Sequence, residues 1–547
     1  MKLRFPDRIF LTHGDGAQKR ESELPVKEHM SLEDVRVTIS DTGECLTVAM
    51  EAQSTPVRGL RLQWTLREGE QRSPEESVRV LGDAWERAYG DLGWKEIRPE
   101  RCMPWYCAVS GGSDAAASTK GRRTETFGVK VRPAALCLWQ YSGDALTLWL
   151  DTRCGGEGVL LGGRSLTLAE IIFGDYSDMT AYAAVCDFCG KMCTDPLRGG
   201  EDIWGSNNWY YAYGRSSHEE ILRDTALVCE LTEGCTRAPY MVIDDGWQIN
   251  SVNAPWIANE RFPDMKRLAS EMREMGVHPG IWIRYLIDST HAVNLPKECR
   301  RGENGNFFDP SHPAVLDYVR RCTEMIVGWG YELIKHDFST NDIFGVWGFQ
   351  APTLLGADGW HFYDRTKTTA EIIIRLYQVI LESAGETKIL GCNCIGHLCA
   401  GLVHANRTGD DTSGMEWERT RKMGINTLAF RLPQQGTFFG ADADCVGIKG
   451  MIPWSSNRQW LNLLARSASP LFVSCDPNVV TVEQKADLKA AYTLWNACMD
   501  RGSSYALRPV DWMETSTPRT YAWIEDGQER RVTYSWLPED GASPIQL

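Results

Sequence analysis

The chain has 547 residues, of which 43% are hydrophobic and 24% charged, so it is long enough for several domains and too apolar for wholesale disorder. Its 58 Lys and Arg residues against 73 Asp and Glu residues give a net charge of −15. That charge argues against a nucleic-acid partner, because phosphate binding needs a basic surface. No run of about 18 apolar residues predicts a membrane span. Because the N-terminus lacks a secretory apolar run and the 18 Cys are scattered, we expect a cytoplasmic protein with free thiols.

Residues 1–195 have the pattern of an antiparallel β-sandwich. Alternating apolar and polar runs are separated by Gly, Ser, Asp and Pro, as in VRVTIS, LTVAM, LRLQWTL, ALCLWQY and LTLWLDT. A period of two places one face of each strand toward a core. The segment DMTAYAAVCDFCGKMC then predicts a helix that links this domain to the next one.

Residues 196–500 consist of short apolar strands alternating with amphipathic helices. The strand candidates lie within WGSNNWYYAYG, PYMVIDDGW, HPGIWIRYL, YELIKHDF, TKILGCNC, VHANRTGDD, GTFFGADADCVG and SPLFVSCD. Eight strand–helix units in a segment of this size predict a (β/α)₈ barrel, which typically spans about 250 residues. Residues 501–547, with RTYAWIEDG and RRVTYSWL, predict a short C-terminal β segment packed on the barrel.

Polar and charged residues recur where the predicted barrel strands end, which is where active sites of such barrels lie. They are Asp244, Asp245, Lys335, Asp337, Cys392, Asn393, Arg407, Asp410, Asp411, Asp442 and Asp444. Carboxylates that converge in one mouth repel one another and raise some pKa values, so their repetition favours a catalytic use. The alternative for any one Asp is that it caps the following helix.

Two carboxyl groups in this set have patterns that suit different roles. Lys335 and Asp337 are two apart on one strand, so both side chains face the same side, and the Lys charge favours an ionised Asp337. Asp337 is therefore a candidate nucleophile, although a buried ion pair is the alternative. Asp411 has carboxylate neighbours that would raise its pKa, which suits a general acid. Two carboxyl groups with separated pKa values suit the cleavage of a glycosidic bond.

The sequence predicts no metal and no cofactor. Asp244 and Asp245 could form a metal-binding pair, but the 10 His residues form no ligand pair near the strands. Cys186, Cys189 and Cys193 have a spacing that would allow zinc or an iron–sulfur cluster. The same spacing places them along one helix in an apolar segment, which favours buried free thiols.

The ordered motifs of residues 203–485 resemble those of the α-galactosidases of glycoside hydrolase family 36, in the clan of retaining α-glycosidases. The motifs are SNNWYYAYG, VIDDGWQ, RFPDM, HPGIW, WGYELIKHDF, GCN, RTGDDT, ADADC and SASPLFVS. The resemblance implies a TIM barrel, preceded by a β-sandwich and followed by a short β tail. It also implies a retaining exo-α-glycosidase, an α-galactosidase first, with an oligosaccharide or glycoside as substrate.

The resemblance also assigns roles to residues by position. Asp337 is implied as the nucleophile and Asp411 as the acid/base, with Asp410 as the alternative acid/base. Asp244 and Asp245 are implied to bind the 4- and 6-hydroxyls of galactose. The remaining implied sugar contacts are the ligands Lys335 and Arg407, the pocket walls Trp209, Trp247 and Trp282, the 2-position residues Cys392 and Asn393, and Asp444 on the seventh strand.

Three residues depart from the family's pattern. His336 stands between Lys335 and Asp337, Arg284 follows the third strand, and His404 stands where a carboxylate is usual. Extra cations of this kind could bind an anionic or unusual substituent on the substrate. The alternative is that Arg284 pairs with a carboxylate.

Other functions compatible with this sequence are an α-N-acetylgalactosaminidase, a transglycosidase of the raffinose-synthase type and a non-catalytic sugar-binding protein. The segment 339–367, with Trp347 and Trp360, is predicted to shape the side of the leaving group.

Overall fold

The computed structural model describes residues 1–68, 70, 77–111, 123–200, 202–350, 358–502 and 506–536. Residues 351–357 of the segment expected to shape the leaving-group side lie outside the described residues, as do 503–505 and 537–547 of the C-terminal segment. Among the described residues, no helix is both long and apolar enough to cross a bilayer.

The N-terminal part folds into two antiparallel sheets. In the described part of the chain, the strand order of the first sheet is Arg20–Leu24, Arg8–His13, Val57–Thr65, Ala145–Asp151, Leu136–Tyr141 and Met103–Pro104. The strand order of the second sheet is His29–Leu32, Val35–Asp41, Leu46–Ala52, Ser165–Ser177, Arg123–Val129, Tyr106–Gly111 and Val78–Gly82. Every second residue of Leu46–Ala52 is buried, as the alternation predicts. The two inner faces meet around aromatic rings, with Trp64 of the first sheet and Phe173 of the second at 5.5 Å between centroids.

The predicted linking helix is present as Ala181–Met192. Thr180 precedes it in an extended conformation, and its hydroxyl accepts the backbone N–H of Ala183 at 3.2 Å. A Thr in this position satisfies one of the free donors of the first turn, which fixes where the helix begins.

A closed barrel of parallel strands follows, as predicted. Its strands in chain order are Trp204–Asn207, Tyr240–Ile243, His278–Ile283, Leu333–His336, Lys388–Gly391, Ala405–Arg407, Gly440–Asp442 with Cys445–Ile448, and Leu471–Cys475. The last strand pairs with the first, since Leu471 lies opposite Trp204. The strands are almost wholly buried because the barrel interior covers one face and the helices cover the other.

The longer helices of the barrel follow its strands. They are His218–Leu231, Met265–Met275, Pro313–Trp329, Thr369–Ala384, Trp454–Ser467 and Val482–Asp500. After the sixth strand, three helical segments follow one another directly. They are the α-helical turn Trp417–Thr420, a π-helical turn at Arg421–Asn426 and the α-helical turn Thr427–Arg431. Shorter helical segments are Gly16–Gln18, Trp209–Ala212, Lys297–Cys299, Ser339–Phe344, Gly348–Gln350, Gly396–Cys399 and Leu432–Gln434. Two small hairpins pair Gln248–Asn250 with Asn253–Ala258 and Arg300–Arg301 with Phe307–Phe308.

Two strands differ from their predicted extent. The first strand ends at Asn207, because Trp209–Ala212 of the same motif turns into a short helix over the barrel mouth. The seventh strand is interrupted at Ala443 and Asp444, and Asp444 has a left-handed φ of 73°. At that break Asp444 contacts Arg407 and the backbone N–H of Thr412.

The C-terminal strands Arg508–Pro509, Thr520–Glu525 and Gln528–Thr533 form a small antiparallel sheet. The segment after it packs on the barrel helices. Trp417 Nε1 donates to the carbonyl of Trp536 at 2.9 Å, and the Tyr534 hydroxyl donates to Asn462 at 2.9 Å. A β tail resting on the barrel is therefore present, as the sequence predicts.

Candidate active site

The ends of the fourth and fifth strands hold the Asp337 carboxylate in a fixed orientation. One oxygen accepts the indole N–H of Trp282 at 3.0 Å, and the other accepts the Asn393 amide and the backbone N–H of Phe338. Burial by itself would raise the pKa of Asp337. The positive charges of Lys335 and Arg87 and the two side-chain hydrogen bonds outweigh burial and lower this pKa to about 2. Asp337 is therefore an oriented carboxylate that stays ionised.

Lys335 lies beside this carboxylate in a buried ion pair. Its ammonium group donates to Asp244 Oδ2 at 2.6 Å, and the Asn207 amide donates to the same oxygen at 2.7 Å. The first, second and fourth strands thus deliver three polar groups to one point in the barrel interior. The Lys335 charge also acts on Asp337, and the spacing of two residues places both side chains on one side of the chain.

Asp411 follows the sixth strand and remains accessible from the mouth, with 39% of its side chain exposed. Arg407 Nη1 donates to it at 3.3 Å. Desolvation within the cleft and the nearby Asp444 charge raise the pKa of Asp411, while Arg407 and Arg87 act against them. A reachable carboxyl with a raised pKa can hold a proton for a leaving group.

The guanidinium of Arg407 organises the sixth and seventh strands. Its Nε donates to Asp442 at 3.2 Å and its Nη2 lies 2.9 Å from Asp444. Asp444 also accepts the backbone N–H of Thr412 at 2.7 Å and the hydroxyl of Tyr210. These hydrogen bonds reach Asp444 Oδ2, whereas Oδ1 has only the ion pair with Arg407 among the described residues. Through Thr412, Asp444 anchors the chain next to Asp411.

Asp410 is placed differently from its neighbour Asp411. One of its oxygens lies 2.8 Å from Arg87 and the other 2.8 Å from Arg419. Its side chain is 16% exposed, less than half the value for Asp411. The double ion pair occupies both oxygens of Asp410, so the geometry favours Asp411 as the proton donor.

Asp245 lies next to Asp244 but is turned to the hairpin that follows. Its oxygens accept the Gln248 amide at 2.5 Å, the Ser251 hydroxyl at 2.6 Å and the backbone N–H of Val252 at 2.7 Å. The backbone at this turn also needs glycine. Gly246 has a φ of 105°, and a Cβ there would lie 2.5 Å from the backbone of Gly214. The structure thus brings Asp244, rather than Asp245, into contact with Lys335.

The three tryptophans expected to wall the pocket occupy different depths. Trp209 is partly exposed and packs on the apolar cluster of the barrel interior. Trp282 is buried and reaches the site through its hydrogen bond to Asp337. Trp247 is fully buried, donates to the carbonyl of Trp282 at 2.9 Å and packs on Trp256. Trp247 therefore supports Trp282 from behind.

The fifth strand contributes Cys392 and Asn393 to the interior. Burial raises the pKa of the Cys392 thiol well above its usual range, so it stays neutral between the charges of Arg407 and Asp337. Asn393 donates to Asp337 with its amide nitrogen. Its buried Oδ1 has no hydrogen-bond partner in the described part of the chain.

The three departures from the family's pattern do not place free cations in the mouth. His336 lies between the rings of Tyr285 and Tyr377, and burial lowers its pKa to about 4, so it is neutral. His404 precedes the sixth strand at the end opposite to Arg407, and its ring accepts the backbone N–H of Ile389 at 3.0 Å.

Arg284 forms a buried, forked ion pair with Asp342, at 3.0 Å from Nε and 2.6 Å from Nη2. The pairing of Arg284 with a carboxylate is thus the alternative that the geometry supports.

Replacing Arg284 by Met should destabilise the fold by about 3–5 kcal/mol, because Asp342 then remains buried without its cation. Thermal unfolding followed by circular dichroism measures the effect. The double variant Arg284→Met/Asp342→Leu should recover most of the loss. Arg320→Met is the matched control. Its ion pair with Asp317 is largely exposed, so its loss should cost about 1 kcal/mol or less. Equal losses in Arg284→Met and the control would contradict this prediction.

No group of three or more His, Cys, Asp or Glu residues is arranged to hold a metal in the described residues. In the linking helix, Cys189 and Cys193 are buried and Cys186 is partly buried, each with a free thiol. Burial raises the pKa of all three thiols, most strongly for Cys189, which disfavours the thiolate form that binds metals.

Sequence reasoning missed three residues of the site. Asn207 and Tyr210 stand in the SNNWYYAYG motif, but their spacing does not reveal their partners Asp244 and Asp444. Arg87 comes from the N-terminal sandwich, where nothing in the surrounding sequence distinguishes it from a surface cation.

The helix-cap alternative is not what the structure shows for Asp337 and Asp411, because neither is the N-cap of a described helix.

Comparison with solved structures places the fold among α-galactosidases. The α-galactosidase TtGalA from Thermus thermophilus has a TM-score of 0.59 and 16% identity, covering 97% of this chain and 99% of its own. The family 36 α-galactosidase AgaA from Geobacillus stearothermophilus has a TM-score of 0.60 and 14% identity, covering 94% of this chain and 76% of its own.

No protein-family model and no curated protein matches the sequence. At these identities the likeness establishes the fold alone. A β-sandwich followed by a (β/α)₈ barrel and a small C-terminal sheet is thus the fold that this chain shares with family 36 α-galactosidases.

Proposed function

We propose that the protein is a retaining exo-α-glycosidase, and most simply an α-galactosidase. The observation that carries this proposal is the pair of carboxyl groups in one barrel mouth. The pKa of Asp337 is lowered to about 2 and that of Asp411 is raised, as a nucleophile and a general acid require. Catalysis belongs to the barrel, residues 196–500.

In the first step, the Asp337 carboxylate attacks the anomeric carbon while Asp411 protonates the leaving oxygen. A covalent β-glycosyl ester forms on Asp337, and the bond to the leaving group breaks. In the second step, Asp411 takes a proton from water, the water oxygen displaces Asp337, and the sugar leaves with its α configuration retained. A retaining pair requires carboxyl groups about 5–5.5 Å apart.

The groups around this pair suit the hydroxyls of a single terminal sugar. Lys335 and Arg407 can donate to hydroxyl oxygens, and Asp244 can accept from them. The unpartnered Oδ1 of Asn393 supports a contact with a hydroxyl close to the nucleophile. Trp209 is partly exposed, and an indole suits the apolar face of a pyranose.

The likeness to known α-galactosidases supports galactose as the sugar. Two of the similar structures are described as complexes with p-nitrophenyl α-D-galactopyranoside and with stachyose, and another with raffinose. Because the identities are 13–17%, the sugar remains part of the proposal.

A panel of p-nitrophenyl α-glycosides tests the function, with the α-galactoside expected to be hydrolysed fastest. Proton NMR of the first product should show the α anomer. A first product in the β form would contradict the retaining mechanism, and a preference for the α-N-acetylgalactosaminide would change the sugar. Transfer to an added sugar acceptor in place of hydrolysis would indicate a transglycosidase. Binding of galactose without turnover of any glycoside would indicate a sugar-binding protein.

The pH dependence of kcat/KM should be a bell with an unusually low acid limb. Asp337 must be ionised, and its pKa of about 2 keeps it so at pH values where an ordinary Asp, at about 3.9, is largely protonated. Asp411 must be protonated, and its raised pKa extends activity above the ordinary carboxyl range. Initial rates between about pH 3 and 9 measure the basic limb and show whether an acid limb lies within this range. An acid limb near pH 5 would contradict the assignment of Asp337.

A further inference from the structure

One charged side chain in the barrel mouth comes from the N-terminal sandwich. Arg87 lies in the segment between the strands Val78–Gly82 and Met103–Pro104 and is buried. Its Nη2 lies 2.8 Å from Asp410 Oδ1, and its Nη1 lies 3.7 Å from Asp411 Oδ1. The sandwich thus places a guanidinium beside the carboxyl group assigned to acid/base catalysis.

Backbone contacts fix the segment that carries Arg87 to the loop that carries Asp411. The N–H of Ala88 donates to the carbonyl of Thr408 at 2.8 Å, and the N–H of Asp410 donates to the carbonyl of Ala88 at 3.0 Å. These bonds form a parallel bridge between Ala88 and Gly409. This pairing at Ala88, the residue directly after Arg87, leaves little freedom for the guanidinium to move away from Asp410.

A second set of contacts holds Arg87 from the fourth-strand side. Its guanidinium lies 5.0 Å from the ring centre of Trp347, and Phe338 packs on the same Trp at 5.7 Å. The neighbouring Glu86 accepts the backbone N–H of Gly348 at 3.0 Å. Through Trp347, which packs on Phe338, Arg87 contacts the segment that follows Asp337 as well as the loop that carries Asp411.

The charged and titratable groups around Asp411 come from four elements. They are Arg87 from the sandwich, Tyr210 after the first strand, Arg407 and Asp410 around the sixth strand, and Asp444 within the seventh. Arg407 also binds Asp442 and Asp444, so its charge is shared among three carboxyl groups. Arg87 is the second cation facing Asp411, and it is shared with Asp410.

We propose that Arg87 is a positioning residue for acid/base catalysis, supplied by the N-terminal sandwich to the barrel. It holds the Asp410–Asp411 segment so that the Asp411 carboxyl faces the leaving oxygen. When Asp411 gives its proton to that oxygen, Arg87 and Arg407 stabilise the carboxylate that remains until water returns a proton. This inference rests on the proposed glycosidase function and adds to it a role for the sandwich.

The variant Arg87→Gln tests this role, because Gln can still donate to Asp410 but carries no charge. The basic limb of kcat/KM should move upward by about one pH unit, since an opposite charge near a carboxyl lowers its pKa by about 1–3 units. Hydrolysis of methyl α-galactoside should fall about tenfold or more, whereas an α-galactoside with a dinitrophenyl leaving group should change little, because it needs little protonation. Arg87→Lys should restore the basic limb.

Arg419→Gln is the matched control, because Arg419 binds Asp410 from the other side and has no contact with Asp411 among those described. It should leave both the pH limbs and the dependence on the leaving group unchanged. If Arg87→Gln fails to fold, as judged by circular dichroism, Arg87→Met is used in its place, because Met keeps the packing on Trp347. An equal loss on all leaving groups with unmoved pH limbs, in a variant that folds, would overturn the inference alone. A wild-type protein inactive on every glycoside would instead overturn the proposed function on which it rests.

Discussion

Replacing Asp337 by Gly should lower the hydrolysis of p-nitrophenyl α-galactoside by about 10⁴-fold or more, because no other carboxylate among the described residues is oriented at that point to attack the sugar. The Asp337 carboxylate is held by Trp282, Asn393 and the backbone of Phe338. These donors fix it in one orientation and keep it ionised, so its removal takes away both the nucleophile and the centre of a polar network. Initial rates and single-turnover experiments measure the loss.

Added azide then identifies which step is missing. In Asp337→Gly, azide can enter the space of the lost carboxylate and attack the anomeric carbon from the same face. The product should be a β-galactosyl azide, which proton NMR distinguishes from the α form, and wild-type protein should not form it. Activity above about 1% of wild type without azide would show that another residue is the nucleophile.

Replacing Asp411 by Ala should produce a loss that depends on the leaving group. Hydrolysis of methyl α-galactoside should fall by about 10²–10⁴-fold, the usual contribution of a positioned acid or base. An activated dinitrophenyl galactoside should still form the glycosyl-enzyme and then accumulate it, because water is no longer deprotonated. Mass spectrometry of the quenched enzyme measures that intermediate, and added azide should release it as α-galactosyl azide.

Asp410→Asn is the matched control for this prediction. Both oxygens of Asp410 are engaged by Arg87 and Arg419, and Asn retains one acceptor, so this variant should keep far more activity on methyl α-galactoside than Asp411→Ala does. If instead Asp410→Asn shows the dependence on the leaving group and Asp411→Ala does not, the acid/base assignment moves to Asp410. The two variants together therefore decide between the adjacent carboxyl groups.

The sequence determines the architecture because the architecture depends on local patterns. Alternation of apolar residues predicts the sandwich strands, and short apolar runs between amphipathic helices predict the barrel. Since parallel strands end at one face of a barrel, the same pattern predicts that Asp244, Asp337 and Arg407 lie in one mouth. The count of 21 Trp is less informative, because a Trp fills a core as readily as it stacks on a sugar. Trp64, Trp139 and Trp247 are all fully buried.

Only the tertiary structure decides what each side chain contacts. Asp244 and Asp245 are adjacent in sequence, yet Asp244 pairs with Lys335, whereas Asp245 accepts hydrogen bonds from the hairpin that follows it. Asp410 and Asp411 are separated in the same way, by cations that approach one of them more closely than the other.

The cation that distinguishes Asp410 from Asp411 is Arg87, more than 300 positions earlier in the chain. Periodicity describes which face a residue occupies within its own strand or helix, but it carries no information about a partner on a distant element. The position of a carboxyl group at the barrel mouth can therefore be predicted from the sequence. Its protonation state follows from burial and from charges that only folding brings within a few ångströms.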